Sequence, residues 1–247
     1  MRGHRDPASG VALVGVAIAV AMLAGVGGFA LLGPDSPTQE RTVAEESQAR
    51  RVEPRQRTRP SRARHRERRV EPIRWRRSRA VGLPHAGRLV RGVQLPAEGT
   101  DFFTWDPILR RQPNRGWRRH GTDRLLRTLL RVVRDHRAAH PHAPRVGIGD
   151  LSRPQGGDFG PQYGIVGHYT HQNGLDADVY YPRRDRRARP PLTVAQIDRR
   201  LSQDLVDRFV RAGARRVLVG PSVGVGGNPR RVQAVAGHGN HLHVSVP

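Results

Sequence analysis

HYTHQNGLDADVYYP, residues 168–182, holds the segment on which the fold turns. Its second half, DADVYY, alternates carboxylates with apolar side chains and reads as a β-strand, in which residues two apart point the same way. Asp176 and Asp178 therefore share one face. The first half reads as a loop: Gly174 lies between His171 and Asp178, and a glycine there lets the backbone turn so that a histidine comes back toward the strand's carboxylate. A second alternating segment, HLHVSV, stands in the C-terminal GHGNHLHVSVP (residues 237–247) and puts His241 and His243 on one face. Two such strands side by side would bring imidazoles and carboxylates together.

The chain has no cysteine, which excludes disulfides and thiolate metal sites, so a metal has to be held by histidine and carboxylate. Two histidines and one aspartate make a zinc shell of the catalytic kind, with three protein ligands and a fourth position open. Zinc in such a shell lowers the pKa of water to about 7, which supplies a hydroxide nucleophile at neutral pH. Geometry of this kind leaves open which aspartate and which histidines are the ligands.

Outward from this pair, RVGIGDLS (Arg145–Ser152) predicts a strand leaving into the Gly-rich loop RPQGGDFGPQYG, and RRVLVG predicts another strand. Thr122 caps a predicted helix over DRLLRTLLRVVRDHRAAH, where Leu125, Leu126, Leu129, Leu130 and Val133 fall on one face. TVAQIDRRLSQDLVDRFVRAG predicts a second helix, with Thr193 and Gln196 as a capping box and Gly213 at its end. GRLVRGVQLPAEGTDFFTWDP (Gly87–Pro107) gives short strand-like pieces, with Phe102, Phe103 and Trp105 as core or cleft wall. GPSVGVGGNP lacks the lysine and the following helix of a phosphate loop, and is expected to be a flexible loop at the cleft. His85, His120, His136, His140 and His142 read as ordinary surface or core histidines, and Asp150 and Ser152 as structural. The class is α+β: a small, mainly antiparallel sheet flanked by helices and long loops, over residues 81–247.

The N-terminal side is of another composition. Gly10–Gly33 (GVALVGVAIAVAMLAGVGGFALLG) carries no charge and, at ~1.5 Å per residue, is long enough for a ~30 Å hydrocarbon core. Arg2 and Arg5 precede it, so residues 1–9 are expected in the cytoplasm and 10–33 as a single transmembrane signal anchor; a cleaved segment would give a secreted protein instead. Residues 34–80, rich in Arg, Pro and Glu, bury too little apolar surface to offset ordering and read as a disordered linker. Fully extended, it would reach ~155 Å at ~3.3 Å per residue, far enough to carry a domain into a surrounding wall. The net charge of +23 suits an anionic wall polymer or lipid as a partner for this linker. With the arginines outside the membrane, nucleic acid is not expected as a partner.

The pattern H-x-x-G-x-x-x-D (His171, Gly174, Asp178) followed by H-x-H (His241, His243) resembles the zinc peptidases that include lysostaphin, the D-alanyl-D-alanine carboxypeptidases and the hedgehog signalling domain. More closely, GDLSRPQGG, GHYTHQNGLDADV and GHGNHLHV, with GRLVRGVQLP ahead of them, resemble the penicillin-insensitive murein endopeptidases over Leu83–Pro247. The resemblance implies that His171, Asp178 and His243 bind Zn2+, with Asp176 the alternative to Asp178. It implies that His241 is the general base or transition-state stabiliser, and that His168 and His238 are further active-site histidines. The expected function is hydrolysis of D-alanyl crosslinks in peptidoglycan by a membrane-anchored extracytoplasmic enzyme. The connector RRDRRARPPL is unusually basic, and Arg183 and Arg184 are expected to orient stem-peptide carboxylates through forked hydrogen bonds. A D,D-carboxypeptidase or dipeptidase on the same shell, and a non-catalytic wall-binding module, are the competing functions.

Overall fold

Thr122 accepts a hydrogen bond from the Leu125 N–H and starts α1, Asp123–Ala139, as its sequence predicts. The second helix starts later than predicted. Thr193 makes no side-chain cap; a single 3-10 turn over Val194–Gln196 ends in extended backbone at Ile197, and Asp198 caps α2, Arg199–Arg211, through the Leu201 N–H. The Gln196 carboxamide is engaged elsewhere, accepting from Arg183 and from the Leu192 N–H at 2.8 Å, so no capping box can close. Past its C-terminus, Gly213 and Ala214 donate back to Val210 and Phe209, the paired bonds that close a helix on a glycine.

The computed structural model describes residues 71–160 and 169–247; the apolar run 10–33, the linker up to residue 70 and His168 lie outside them. Among the described residues, no helix is long and apolar enough to cross a membrane. The strands are β1 (Arg79–Leu83), β2 (Ala86–Val90), β3 (Val93–Gln94), β4 (Phe102–Thr104), β5 (His120–Gly121), β6 (Val146–Ile148), β7 (Asp176–Tyr180), β8 (Arg216–Val219), β9 (Val232–Ala234) and β10 (His241–Ser245). β1 pairs with β2 and β3 with β5, while six strands form the main sheet in the order β4-β6-β7-β10-β8-β9. Its four central strands are antiparallel, but both edge pairs, β4 with β6 and β8 with β9, are parallel. The sheet is thus mixed, and the mainly antiparallel expectation holds only for its centre.

Alternation sorts the sheet's faces. Ala177, Val179, Val217, Leu242 and Val244 occupy one face and belong to one apolar core with Leu126, Leu129 and Val133 of α1 and Leu205, Val206 and Phe209 of α2. Each fully buried side chain of this size contributes about 1.5–3 kcal/mol, which fixes the register of every strand that feeds the core. The opposite face is left to Asp176, Asp178, Tyr180, His241, His243 and Ser245.

Residues ahead of the expected boundary at 81 also make contacts with α1 and the core. Ser78 Oγ donates to Asp123 Oδ1 at 2.7 Å, Arg127 stacks over Trp75, Ile73 packs against the core and β1 starts at Arg79. The partners Asp123 and Arg127 lie far along the chain, while the composition of residues 71–80 matches that of the linker, so sequence alone does not mark these contacts.

Candidate metal centre

β7 and β10 pair antiparallel with Asp178 directly opposite His243, Asp176 opposite Ser245 and Tyr180 opposite His241. Cross-strand partners in this register point to the same face. The loop before β7 brings His171 over them. It is pinned from both sides: Gln172 N–H donates to Pro84 O at 2.9 Å, Gly157 N–H to Gln172 O at 2.9 Å, and Asn173 Nδ2 to Gly82 O at 3.2 Å. Gly156 is required there, since a Cβ on it would meet Gln172 O at 2.0 Å. Gly174 turns the loop with a φ of +77°. His171 itself has a φ of +76°, a left-handed conformation that costs a non-glycine residue of order 1–3 kcal/mol and is found mainly where function holds it.

The result is a buried cluster. His171 Nε2 lies 3.3 Å and His243 Nδ1 3.1 Å from Asp178 Oδ1, and the two imidazole rings meet edge to face at 4.8 Å. One donor atom from each of His171, Asp178 and His243 falls within a 4.8 Å span, and all three residues are buried. Two imidazoles and a carboxylate converging without a thiolate fit zinc by their donor chemistry. Asp176 has a different place. Its Oδ1 lies 3.3 Å from His243 Nε2 and accepts from Ser245 Oγ, while Oδ2 accepts from the His171 N–H at 3.3 Å. It holds the far nitrogen of His243, an arrangement in which a carboxylate fixes the tautomer and orientation of a metal-binding imidazole.

Electrostatics follow from this crowding. Burial disfavours the charged form of Asp178, but the charges of His171 and His241 and its hydrogen bonds to His171 and His243 outweigh that and hold it well below the usual carboxylate range. The same competition leaves Asp176 lowered to about 2. His243, desolvated but hydrogen-bonded to both carboxylates, is raised to about 9 in the metal-free protein. Tyr180 is pushed well above its ordinary value by burial and by the charges of Asp150 and Asp178.

His241 and His238 stand beside the cluster. His241 Nδ1 contacts Asn240 Oδ1 at 2.7 Å, and an oxygen can only accept, so Nδ1 carries the proton and Nε2, 3.7 Å from Asp178 Oδ1, is the basic nitrogen. His238 Nδ1 donates to the carbonyls of Val235 and Ala236 at 3.2 and 3.1 Å, which likewise leaves its Nε2 basic. The His238 ring lies 5.1 Å from that of His241 and 6.1 Å from that of His243. His168 falls outside the described residues.

These groups line a cleft of about 990 Å3. Its walls include His85, expected to be an ordinary surface or core histidine but stacked on Tyr169 at 4.8 Å, together with Thr170 and with Arg216 and Gln233 on the outer strands. Arg183 and Arg184 are not among them. Arg183 is buried against Asp185, Gln196 and the Pro190 carbonyl, and Arg184 donates to Ile197 O at 3.0 Å, so both arginines are spent on groups away from the cleft. The glycine-rich loop is also elsewhere: Gly226 exchanges hydrogen bonds with the Gln203 carboxamide at 2.7 and 3.0 Å and lies on α2.

A buried ion pair supports the site from below. Asp150, bonded by Arg118 and by Asn114 Nδ2 at 3.0 Å, accepts the Asp178 N–H at its carbonyl at 2.9 Å, and Arg118 also lies over the Phe159 ring that approaches His171. A second group of possible donors, His136, His140 and Asp204, joins α1 to α2. There Arg208 Nε sits 2.6 Å from Asp204 Oδ2, the oxygen that also meets His136 Nδ1 at 2.7 Å, and a guanidinium at that oxygen opposes a cation.

The family model for penicillin-insensitive murein endopeptidases matches residues 80–218, more than half of the chain. The match takes in the His171 loop and β7 and stops within β8, ahead of His238, His241 and His243. No curated protein matches the chain.

Proposed function

The chain belongs to the penicillin-insensitive murein endopeptidase family, and from that premise we propose that it is a zinc-dependent hydrolase of the D-alanyl peptide crosslinks of peptidoglycan. The observation that carries the reading is the cross-strand pairing of Asp178 with His243 beneath His171, inside a cleft of about 990 Å3. His171, Asp178 and His243 would hold the ion. Zinc bound there supplies Lewis-acid polarisation of the scissile carbonyl and a lowered pKa for water.

The chain's own groups do the rest. Asp176 keeps the proton on His243 Nε2, so that Nδ1 faces Asp178 as a neutral donor. His241 Nε2 takes the proton from the attacking water as general base, and His238, in the form that carries a proton on Nε2 as well as Nδ1, hydrogen-bonds the developing oxyanion or gives that proton to the leaving amine. His168, at the far side of the His171 loop in sequence, is a further candidate for this second task. His85 and Tyr169 form an aromatic wall against which a peptide chain can lie. Residues 10–33 act in this reading as the membrane anchor and the arginine-rich linker as a tether, which meets anionic lipid or wall polymer outside the cell.

The test is digestion of purified crosslinked muropeptides by the zinc-loaded protein, with and without chelator, read by mass spectrometry. Conversion of dimers to monomers that stops on chelation and returns with zinc is expected. Cleavage indifferent to chelator would overturn the metal mechanism, and release of terminal D-alanine from monomers without dimer cleavage would make the protein a carboxypeptidase.

A further inference from the structure

The carboxylate-reading role that the connector arginines cannot fill has a better-placed candidate on β8. In the β10–β8 pairing Ser245 faces Arg216 and His243 faces Leu218. Opposed residues share a face, so Asp176, Ser245 and Arg216 form one row across three strands on the metal side, next to the row of Asp178, His243 and Leu218. Val217 and Val219, between and beyond, are buried in the core, which fixes the alternation and leaves Arg216 no other direction. Arg216 lines the cleft and is half-buried. Among the described residues it makes no ion pair and no side-chain hydrogen bond. The nearest carboxylate in its row, Asp176, is already taken by Ser245, His243 and the His171 N–H.

A half-buried guanidinium facing a cleft with five donors unspent is a poor structural element and a good anion receptor, because partial desolvation strengthens a charge-assisted fork that the protein itself does not satisfy. Its position gives a ruler. Arg216 is one strand (~4.8 Å) and two residues (~6.8 Å) from His243, so roughly 8 Å separates the two backbones. That is about two residues of an extended peptide at ~3.3–3.6 Å each. Arg215, next to it, lines the same cleft but is exposed, where solvent screens its charge.

We propose that Arg216 is the specificity residue that binds a free carboxylate of the peptide substrate, one or two residues from the scissile bond. The proposal rests on the peptidase reading above. It requires a substrate with an ionised side-chain or terminal carboxylate close to the cleaved amide, and disfavours the same peptide carrying a carboxamide there.

The experiment uses zinc-loaded full-length protein, Arg216→Gln and Arg216→Lys, on two crosslinked muropeptides identical except that this carboxylate is free in one and amidated in the other. The wild type is expected to favour the acid by roughly tenfold or more in kcat/KM, mostly through KM, as a charge-assisted pair dictates. In Arg216→Gln the acid falls to the level of the amide, the amide stays within about twofold of wild type, and zinc content is unchanged; Arg216→Lys recovers part of the preference. An unchanged acid-to-amide ratio in Arg216→Gln, or an equal loss on both substrates, would overturn the assignment. If the wild type cleaves neither compound, the peptidase reading fails by itself, and calorimetric binding of the same pair still decides: about tenfold weaker acid binding in Arg216→Gln supports the carboxylate site, and equal binding removes it.

Discussion

Asp176 and Asp178 differ by two positions and share a face, yet they contact opposite nitrogens of His243. Their substitutions should therefore separate. Asp178→Asn is expected to abolish stoichiometric zinc in the purified protein, whereas Asp176→Asn should keep a zinc site and weaken it by about 10–100-fold, measured by competition with a chelating dye. The protonation state of His243 makes a second prediction. In the metal-free protein its value near 9 exceeds the ordinary 6.5, so its stabilising effect is complete below pH 6.5 and lost as pH rises through 9. Asp176, lowered to about 2, contributes above pH 3.8 and loses its effect only as pH falls toward 2. The metal-free domain should then melt at progressively lower temperature between about pH 6.5 and 9. Because zinc has to displace the Nδ1 proton, apparent zinc affinity should rise about tenfold per pH unit over the same range. A flat affinity profile would mean that His243 is neutral before the metal arrives.

At the scale of elements, the two candidate caps of α2 are distinguishable. Asp198→Ala should cost about 1 kcal/mol in denaturant unfolding and Thr193→Ala only a few tenths, because Asp198 alone meets an orphan N–H. The misplacement of this helix start shows where sequence stops being legible. Both helices could be read from apolar spacing, because a stripe that buries against a sheet leaves a 3.6-residue period whatever its partner. The Thr193–Gln196 box was equally plain as a pattern, but Gln196 is drawn off by Arg183, a contact that exists only after the connector folds back. The same limit applies to the site. His171, Asp178, His241 and His243 were legible because each pair lies within one strand or loop, whereas Arg216 enters through the pairing of β8 with β10, and register between strands is not written in either strand alone. β9 was invisible for a related reason: three residues in a parallel edge carry too short a pattern.

For the whole molecule, the packed residues ahead of β1 set the minimal folding unit. A fragment from residue 81 lacks Ile73, Trp75, the Ser78 bonds to Asp123 and part of β1, and should melt several degrees below one from residue 71. Loss of the ion pair under the site should matter more: Asp150→Ala leaves Arg118 charged and buried, a change worth about 3–5 kcal/mol in unfolding experiments, with activity lost through unfolding rather than through chemistry. The strand order carries a further consequence for how the protein is made. β10 follows every other strand among the described residues yet lies between β7 and β8. On a ribosome, everything up to residue 240 can be synthesised while the β4-β6-β7 and β8-β9 ribbons remain without the strand that joins them, and the His171–Asp178 pair waits without its third partner. The three residues of the candidate metal centre therefore come together in one step, only after β10 has been made and has entered the sheet between β7 and β8.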